Sequence, residues 1–301
     1  MMAVIARELG RHPSTVYREV KRNRSVHDDG YRGKHSNWKA NGRRSRSRRN
    51  LQYGKEAFKP IEALLRGEHS PEQIVGRRRQ EGKEVMSHET IYKWIWADKR
   101  AGGTLWKHLR GARKRFRKRY GKNDSRGRLA GKKMIGSRPG EVERRGRIGD
   151  WEIDTVHGSS LASVVTVVER KSGVVRIGKI ERVTQEETLS RTVRLLWEER
   201  DRVKTITADN GTEFHNYKEL ERRLGVEVYF ANPHHAWERG SNENTNGLIR
   251  QYLRKGTDLG SLTQRQCTHL ANKLNNRPRK RHGFRSPNEV YYSDSFFALQ
   301  T

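Results

Sequence analysis

Three acidic residues that are far apart along the chain lie in or next to predicted strands and helices. Asp154 lies in the strand-like segment DWEIDTVHG, Asp209 ends the strand-like VKTITADNG, and Glu243 begins the helix-like SNENTNGLIRQYLR. If the two aspartate strands are neighbours in one sheet, their carboxylates meet at one edge, and the helix can add Glu243 to them. Three such carboxylates can hold two Mg²⁺ ions about 4 Å apart, with Mn²⁺ as a substitute, and promote attack of an oxygen on a phosphodiester.

Each acid also has a simpler interpretation. Asp209 stands in the sequence DNG and could be only a turn residue. Two other acids alternate onto the same strand face as Asp154 and could replace it or pair with arginines, and a further glutamate precedes Glu243 by five residues. The residues left open in this way are Asp150, Glu152 and Glu238.

The helix that begins near Glu243 is predicted to present a polar, basic face. At 100° per residue, Gly247 and two arginines fall on the same stripe as Glu243, so the acid shares a face with guanidinium groups and a bare glycine. Arginines at that position can hold flanking phosphates, and neighbouring asparagines can orient ligands or touch bases. The side chains of this segment that we expect to contact DNA are Asn242, Asn246, Arg250 and Arg254.

The charge of the chain is concentrated in its first half. The net charge is +30, and residues 148–301 hold 24 Lys and Arg against 20 Asp and Glu, so residues 1–147 carry +26. A field of that strength attracts a polyanion, and double-stranded DNA is favoured over an anionic membrane surface. The sequence has neither an apolar run long enough to span a membrane nor a secretion signal, and its single cysteine, Cys267, is expected to be an inert core thiol.

Residues 1–24 are predicted to form a helix-turn-helix unit. In IARELGRHPSTVYREVKRN, Ala6, Gly10 and Val16 have the spacing that lets two helices pack closely around a turn, and Ser14 is the expected cap of the second helix. Such units normally have a preceding helix, so we expect a shortened version of a longer unit. The predicted DNA-facing residues are Thr15, Tyr17, Arg18 and Lys21.

A second helix-turn-helix unit is predicted at residues 56–98, between a basic linker at 25–55 and a basic connector at 99–147. Ser70 and Gln73 have the pattern of a capping box, Gly82 marks the turn, and Ser87 is the expected cap of the next helix. The linker, rich in Arg, Ser, Gly and Asn, is expected to be flexible and to become ordered on DNA. The outward-facing residues of the second unit are His88, Tyr92 and Lys93.

Residues 148–301 have the pattern of an α/β layer fold. Three strands are followed by a helix, a strand, a helix and a strand, which predicts a mixed five-stranded sheet with flanking helices.

Several long segments resemble the bacterial DDE transposases of the insertion sequence 30 family: GDWEIDTVHG, TADNGTEF, WERGSNENTNGLIRQYLRKG and HGFRSPNEVYY. The resemblance runs over nearly the whole chain and implies a ribonuclease-H-like catalytic domain. It also implies that Asp154, Asp209 and Glu243 are the catalytic, metal-binding acids. Members of this family act on the inverted repeats at the ends of their own element, cleaving strands and joining them to target DNA.

We therefore expect an Mg²⁺-dependent transposase that works as a homodimer or larger oligomer, because strand joining needs two DNA segments in one assembly. Its expected location is the bacterial cytoplasm, in association with the nucleoid. Two alternatives remain at this point: a DNA-binding regulator without catalysis, and a structure-specific nuclease of ribonuclease-H type.

Overall fold

The computed structural model describes residues 2–46, 53–110, 131–232 and 236–297. The chain divides into two compact units, residues 1–61 and 62–301. Within the described residues, no helix is both long enough and apolar enough to cross a membrane. The helices are α1 Met2–Glu8, α2 Pro13–Asn23, α3 Gly33–Arg46, α4 Lys55–Arg66, α5 Pro71–Gln80, α6 His88–Arg100, α7 Gly140–Arg144, α8 Gln185–Leu196, α9 Tyr217–Leu224, α10 Gly240–Ile249, α11 Gln264–Asn275 and α12 Pro287–Phe297. The strands are β1 Lys133–Met134, β2 Asp150–His157, β3 Ser163–Glu169, β4 Val175–Ile180, β5 Thr205–Ala208 and β6 Glu227–Phe230.

The first unit begins with the predicted helix pair, α1 and α2. Ala6 is fully buried, and Gly10 adopts a φ of +61° at the turn, as the spacing requires. The cap of α2 differs from the prediction. The ring of His12, and not Ser14, caps the helix by accepting a hydrogen bond from the Ser14 N–H, because Pro13 already occupies the first helical position.

The tract expected to be a flexible linker contains the helix α3, which is tied to the end of α2. Asn23 is fully buried; its carbonyl accepts a hydrogen bond from the Ser36 hydroxyl at 3.3 Å, and its side-chain oxygen accepts one from Arg43. Residues 33–46 of the linker are therefore helical, because side-chain contacts with α2 hold a segment that has little apolar surface of its own, and the flexibility of the linker stays a prediction. Residues 47–52 of the same tract lie outside the described residues.

The second helix pair, α5 and α6, forms as predicted. Ser70 and Gln73 make both hydrogen bonds of the capping box, and Ser87 caps α6. The pair is packed onto the end of the chain: the Gln73 amide donates to the carbonyl of Pro278 at 2.9 Å, and Arg77 pairs with Glu289 at 2.8 Å. The second helix pair thus belongs to the same compact unit as the sheet.

The described part of the sheet has six strands in the order β1-β6-β5-β2-β3-β4. Strands β2, β3 and β4 form an antiparallel meander, while β5 and β6 run parallel to β2. With α8 and α9 in the crossovers, this is the expected ribonuclease-H-like layout. The sixth strand is β1, which pairs parallel with the edge strand β6 and comes from residues that we assigned to the basic connector. Residues 111–130 of that connector are outside the described residues.

Alternation along β2 directs side chains to two different cores. Trp151 and Ile153 face a core that includes residues of α8 and α9, whereas Val156 faces a core built with α10 and α11. Cys267 lies in this second core, where burial raises the pKa of its thiol to about 11, so an inert thiol is what the structure supports. Asp154 has the parity of Val156 and therefore lies on the face that α10 covers.

Candidate active site

Asp154 and Asp209 meet at one edge of the sheet. The last paired residues of the parallel strands β2 and β5 are Glu152 and Thr207, and each aspartate lies two residues further along its strand direction. The prediction that these two strands are neighbours is confirmed. Asp209 also serves the turn, because its carboxylate accepts a hydrogen bond from the Gly211 N–H at 2.8 Å.

The guanidinium of Arg239 lies between the two carboxylates. Its Nη2 donates to Oδ2 of Asp209 at 3.1 Å, and its Nη1 lies 3.8 Å from Oδ1 of Asp154. The Nη1 also donates to the carbonyl of Ile153 at 3.2 Å. These three groups are poorly accessible to water, since the side chain of Arg239 is 14% exposed and those of both aspartates are 21% exposed.

The environment of Asp154 makes its ionised form costly. Burial is the main reason that the pKa of Asp154 is raised, and the nearby charge of Asp209 raises it further. The Arg239 charge, the N–H of Thr155 and the amide of Asn246 act in the opposite direction. A raised carboxyl pKa at the carboxyl ends of two adjacent strands is typical of a functional site.

Glu243 stands in the first turn of α10, and its side chain is exposed. The residues on either side of it anchor the helix to β2: the Asn242 N–H donates to Glu152 at 3.0 Å, and the Asn246 amide donates to Asp154 at 2.7 Å. Among the described residues, no three His, Cys, Asp or Glu side chains are grouped closely enough to hold a metal ion. The structure therefore brings Asp154 and Asp209 together but does not group Glu243 with them, and the three-acid site stays a prediction.

The donor chemistry at the two aspartates fits a hard divalent cation. Mg²⁺ and Mn²⁺ prefer oxygen ligands. Asp154 and Asp209 supply carboxylate oxygens, and the position between them already holds a positive charge, that of Arg239.

The competing acids have structural partners. Asp150 is buried and pairs with Arg147. Glu152 is fully buried and pairs with Arg170. Glu238 accepts hydrogen bonds from the main-chain and side-chain nitrogens of Asn232, at 2.7 and 2.8 Å.

The side chains of two of the expected DNA contacts near Glu243 are turned toward the protein. Asn242 is 1% exposed, so its side chain is closed to DNA, and this prediction was wrong. The Asn246 amide donates to Asp154, so this side chain orients a candidate metal ligand, the first of the two roles expected for the asparagines, and base contact by it stays a prediction. Both asparagines lie on the side of α10 that packs against the sheet, which a charge pattern alone did not reveal.

Of the two arginines of this segment, Arg250 keeps its predicted place on the stripe, at the C-cap of α10, and Arg254 does not. Arg250 is the last residue of the α10 stripe, and it donates to the carbonyl of His157 at 2.9 Å. Arg254 is exposed but lies beyond the helix. The chain leaves the helix at Ile249 because Gln251 and Tyr252 form tighter i to i+3 hydrogen bonds, so Arg254 is not on the helical stripe.

The predicted DNA-facing residues of the two helix pairs are exposed. This set is Thr15, Tyr17, Arg18 and Lys21 on α2 and His88, Tyr92 and Lys93 on α6. Whether they contact DNA stays a prediction.

The main residue that sequence reasoning missed is Arg239. It stands in the WERG segment, four residues after residues 233–235, which are not described, and its strand partners are 30 and more residues away. A basic residue four positions before a candidate metal-binding glutamate was the available signal. Its distance along the chain from both aspartates gave no reason to place it between them.

Comparisons with known proteins decide the family. Residues 2–23 match the family described as a helix-turn-helix domain. The transposase for insertion sequence element IS4351 of Bacteroides fragilis is 44% identical, and the match covers 95% of this chain and 88% of that protein. The transposase InsI for element IS30A of Escherichia coli (strain K12) is 35% identical, with 95% of this chain and 77% of that protein covered. The chain belongs to the insertion sequence 30 family of transposases.

This membership confirms the resemblance drawn from the sequence motifs. Transposases cut and join DNA, and the helix-turn-helix match at residues 2–23 supports DNA binding by this chain. Among solved structures, the catalytic core domain of BIV integrase is 21% identical, with a TM-score of 0.38, 50% of this chain covered and 97% of that one. A chain of the simian T-cell lymphotropic virus intasome, solved in complex with PP2A regulatory subunit B56 gamma, is 18% identical, with a TM-score of 0.41 and coverage of 48% and 55%.

Proposed function

We propose that this transposase binds the terminal inverted repeats of its own insertion sequence, cleaves a strand at each end and joins the released 3′-hydroxyl to target DNA. The observation that carries the proposal is the pair of partly buried carboxylates, Asp154 and Asp209, at the ends of adjacent parallel strands. Membership of a transposase family supplies the reaction class.

In this proposal Asp154, Asp209 and Glu243 hold Mg²⁺, with Mn²⁺ as a substitute. The ions would activate the attacking oxygen and stabilise the leaving oxygen in both displacements. The protein's own part is to orient these acids. Asn246 fixes one oxygen of Asp154, and the Gly211 N–H fixes one oxygen of Asp209. Because Asn246 lies one turn after Glu243 on α10, the same hydrogen bond holds the glutamate helix against β2.

The exposed faces of α2 and α6 are proposed to hold double-stranded DNA. Tyr17 and Arg18 on α2, and Tyr92 and Lys93 on α6, offer aromatic and basic groups to the solvent. Contacts with phosphates make binding salt-dependent, since each neutralised phosphate adds roughly 0.9 to the slope of log K against log salt. Joining two DNA segments further calls for a homodimer or a larger assembly.

The test is an end-cleavage and strand-transfer assay with purified full chain, end-containing DNA and Mg²⁺ or Mn²⁺. Glu243→Gln is expected to abolish both steps. Glu186→Gln is the matched control, because Glu186 is also an exposed glutamate in the first turn of a helix, α8. If Glu243→Gln cleaves DNA at the wild-type rate, Glu243 is not part of the active site.

Two other outcomes would replace the proposal. Tight, metal-independent binding without any cleavage would indicate a DNA-binding regulator. Cutting that needs no particular end sequence and gives no strand transfer would indicate a structure-specific nuclease.

A further inference from the structure

Arg239 is built into the candidate site and does not lie over it by chance. It ends the short 3₁₀ helix Ala236–Arg239, immediately before α10 begins, and its side chain is 14% exposed. One guanidinium nitrogen donates to Asp209, which directly follows β5, and the other donates to the Ile153 carbonyl of β2. The guanidinium therefore bridges the two strands whose ends carry the acids.

The position of this guanidinium is the one that a metal ion needs. Two carboxylates at the same strand edge, each 21% exposed, repel one another unless a positive charge lies between them. Arg239 supplies that charge, at 3.1 Å from Asp209 and 3.8 Å from Asp154. A divalent cation bound by both aspartates would occupy the same space and satisfy the same charge.

We infer that Arg239 is a built-in substitute for the metal: its guanidinium holds the cation position between Asp154 and Asp209 in the metal-free protein, and a divalent cation has to displace it. This inference rests on the proposed metal-dependent function. It assigns to Arg239 a positioning role in which metal binding and a movement at the start of α10 are one event.

The first turn of α10 has a feature that suits such a movement. Asn242 is 1% exposed, and neither the nitrogen nor the oxygen of its side-chain amide has a hydrogen-bond partner in the described structure. A buried side-chain amide without partners is unfavourable, so an arrangement of this turn that supplies partners would be more stable. Glu243, the next residue, faces solvent. Arg239 occupies the N-cap position of α10 without a side-chain capping hydrogen bond, so displacement of its guanidinium costs the helix no cap and lets the first turn move Glu243 toward the aspartates.

The inference is tested by Mn²⁺ binding to the full chain without DNA, measured by electron paramagnetic resonance of free Mn²⁺. Arg239→Gln removes the competing charge, so it is expected to bind Mn²⁺ about fivefold more tightly than wild type, a factor that matches the upper end of the range measured for exposed ion pairs. The control is Arg223→Gln on α9, which removes the same charge from an exposed pair with Glu219 and is expected to leave the dissociation constant unchanged. Equal or weaker Mn²⁺ binding by Arg239→Gln would overturn the inference.

Arg239→Lys keeps the charge but lacks the fork that reaches both strands. Its Mn²⁺ affinity is expected to lie between those of wild type and Arg239→Gln, and it provides the test if Arg239→Gln does not fold. A lysine variant that binds Mn²⁺ no more tightly than wild type would count against displacement.

Asp154→Asn separates this inference from the function on which it rests. If Asp154→Asn abolishes Mn²⁺ binding but Arg239→Gln does not increase Mn²⁺ affinity, the metal site is supported and the role of Arg239 is contradicted. Absence of Mn²⁺ binding in wild type, Arg239→Gln and Arg239→Lys alike would reject both the inference and the metal-dependent part of the proposed function.

Discussion

The amide of Asn246 donates a hydrogen bond to Oδ2 of Asp154 at 2.7 Å and so joins α10 to β2 at the candidate site. The same side chain accepts a hydrogen bond from Thr166 of β3 at 3.3 Å. The uncharged side chain of Asn246 thus fixes both the orientation of the Asp154 carboxylate and the position of α10 on the sheet.

Asn246→Ala is expected to slow end cleavage by about 10- to 100-fold, the usual cost of losing a residue that orients a metal-binding carboxylate. The measurement is the initial cleavage rate at saturating Mg²⁺, with circular dichroism to confirm folding. Asn272→Ala on α11 is the control, because Asn272 is an exposed helical asparagine. An unchanged rate in Asn246→Ala would show that Asp154 is oriented without it.

Arg170→Met is expected to lower the free energy of unfolding by about 3 to 5 kcal/mol, because it leaves the fully buried Glu152 without its charged partner. Urea denaturation measures this loss. The control Arg222→Met breaks an exposed pair with Glu219 and should cost less than about 1 kcal/mol. A loss of similar size in both variants would mean that the buried pair is not held as the structure shows.

The contact between α5 and α12 is expected to depend on pH through Glu289. The hydrogen bond from Arg77 is the main cause that lowers the pKa of Glu289 to about 2, from a usual value of 4.5. A depressed folded-state pKa stabilises the fold above about pH 4.5, and this contribution is lost as the pH falls toward 2. Glu289→Gln should therefore flatten the loss of stability between pH 4.5 and 2, measured by urea unfolding. A profile as steep as wild type, with Glu186→Gln as the reference, would contradict this prediction.

Gly76→Ala is expected to destabilise the protein by about 1 to 3 kcal/mol, because the added methyl group would fall inside the ring of Phe284. Gly247→Ala on α10 provides the contrast, since nothing lies within 4 Å of the added carbon, and alanine favours the helix by about 0.5 to 1 kcal/mol. Thermal unfolding of the two variants measures the difference. Equal midpoints would indicate that α5 is not packed against Phe284.

Features decided by local chemistry could be predicted from the sequence. The caps at Ser70 and Ser87 depend on hydrogen bonds to groups three residues away, and both formed as expected. The pairing of β2 with β5 was predictable because alternating apolar residues and the crossover helix leave few arrangements of such strands. That pairing brought Asp154 and Asp209 together.

Features decided by distant contacts could not be predicted. The role of Glu152 depends on Arg170, which reaches it only because β2 and β3 form a hairpin. Strand β1 is two residues long and forms only because the edge of β6 is available. The burial of Asn242 follows from the angle at which α10 lies on the sheet, which helical periodicity does not specify.

The packing of α5 and α6 against the end of the chain has a geometric consequence. Because these helices and the sheet form one compact unit, a duplex bound to α6, as we propose, would lie at a fixed number of base pairs from Asp154. The rigidity of the packing between α5 and the last helix would then determine how constant the distance is between the bound site and the phosphodiester that is cut.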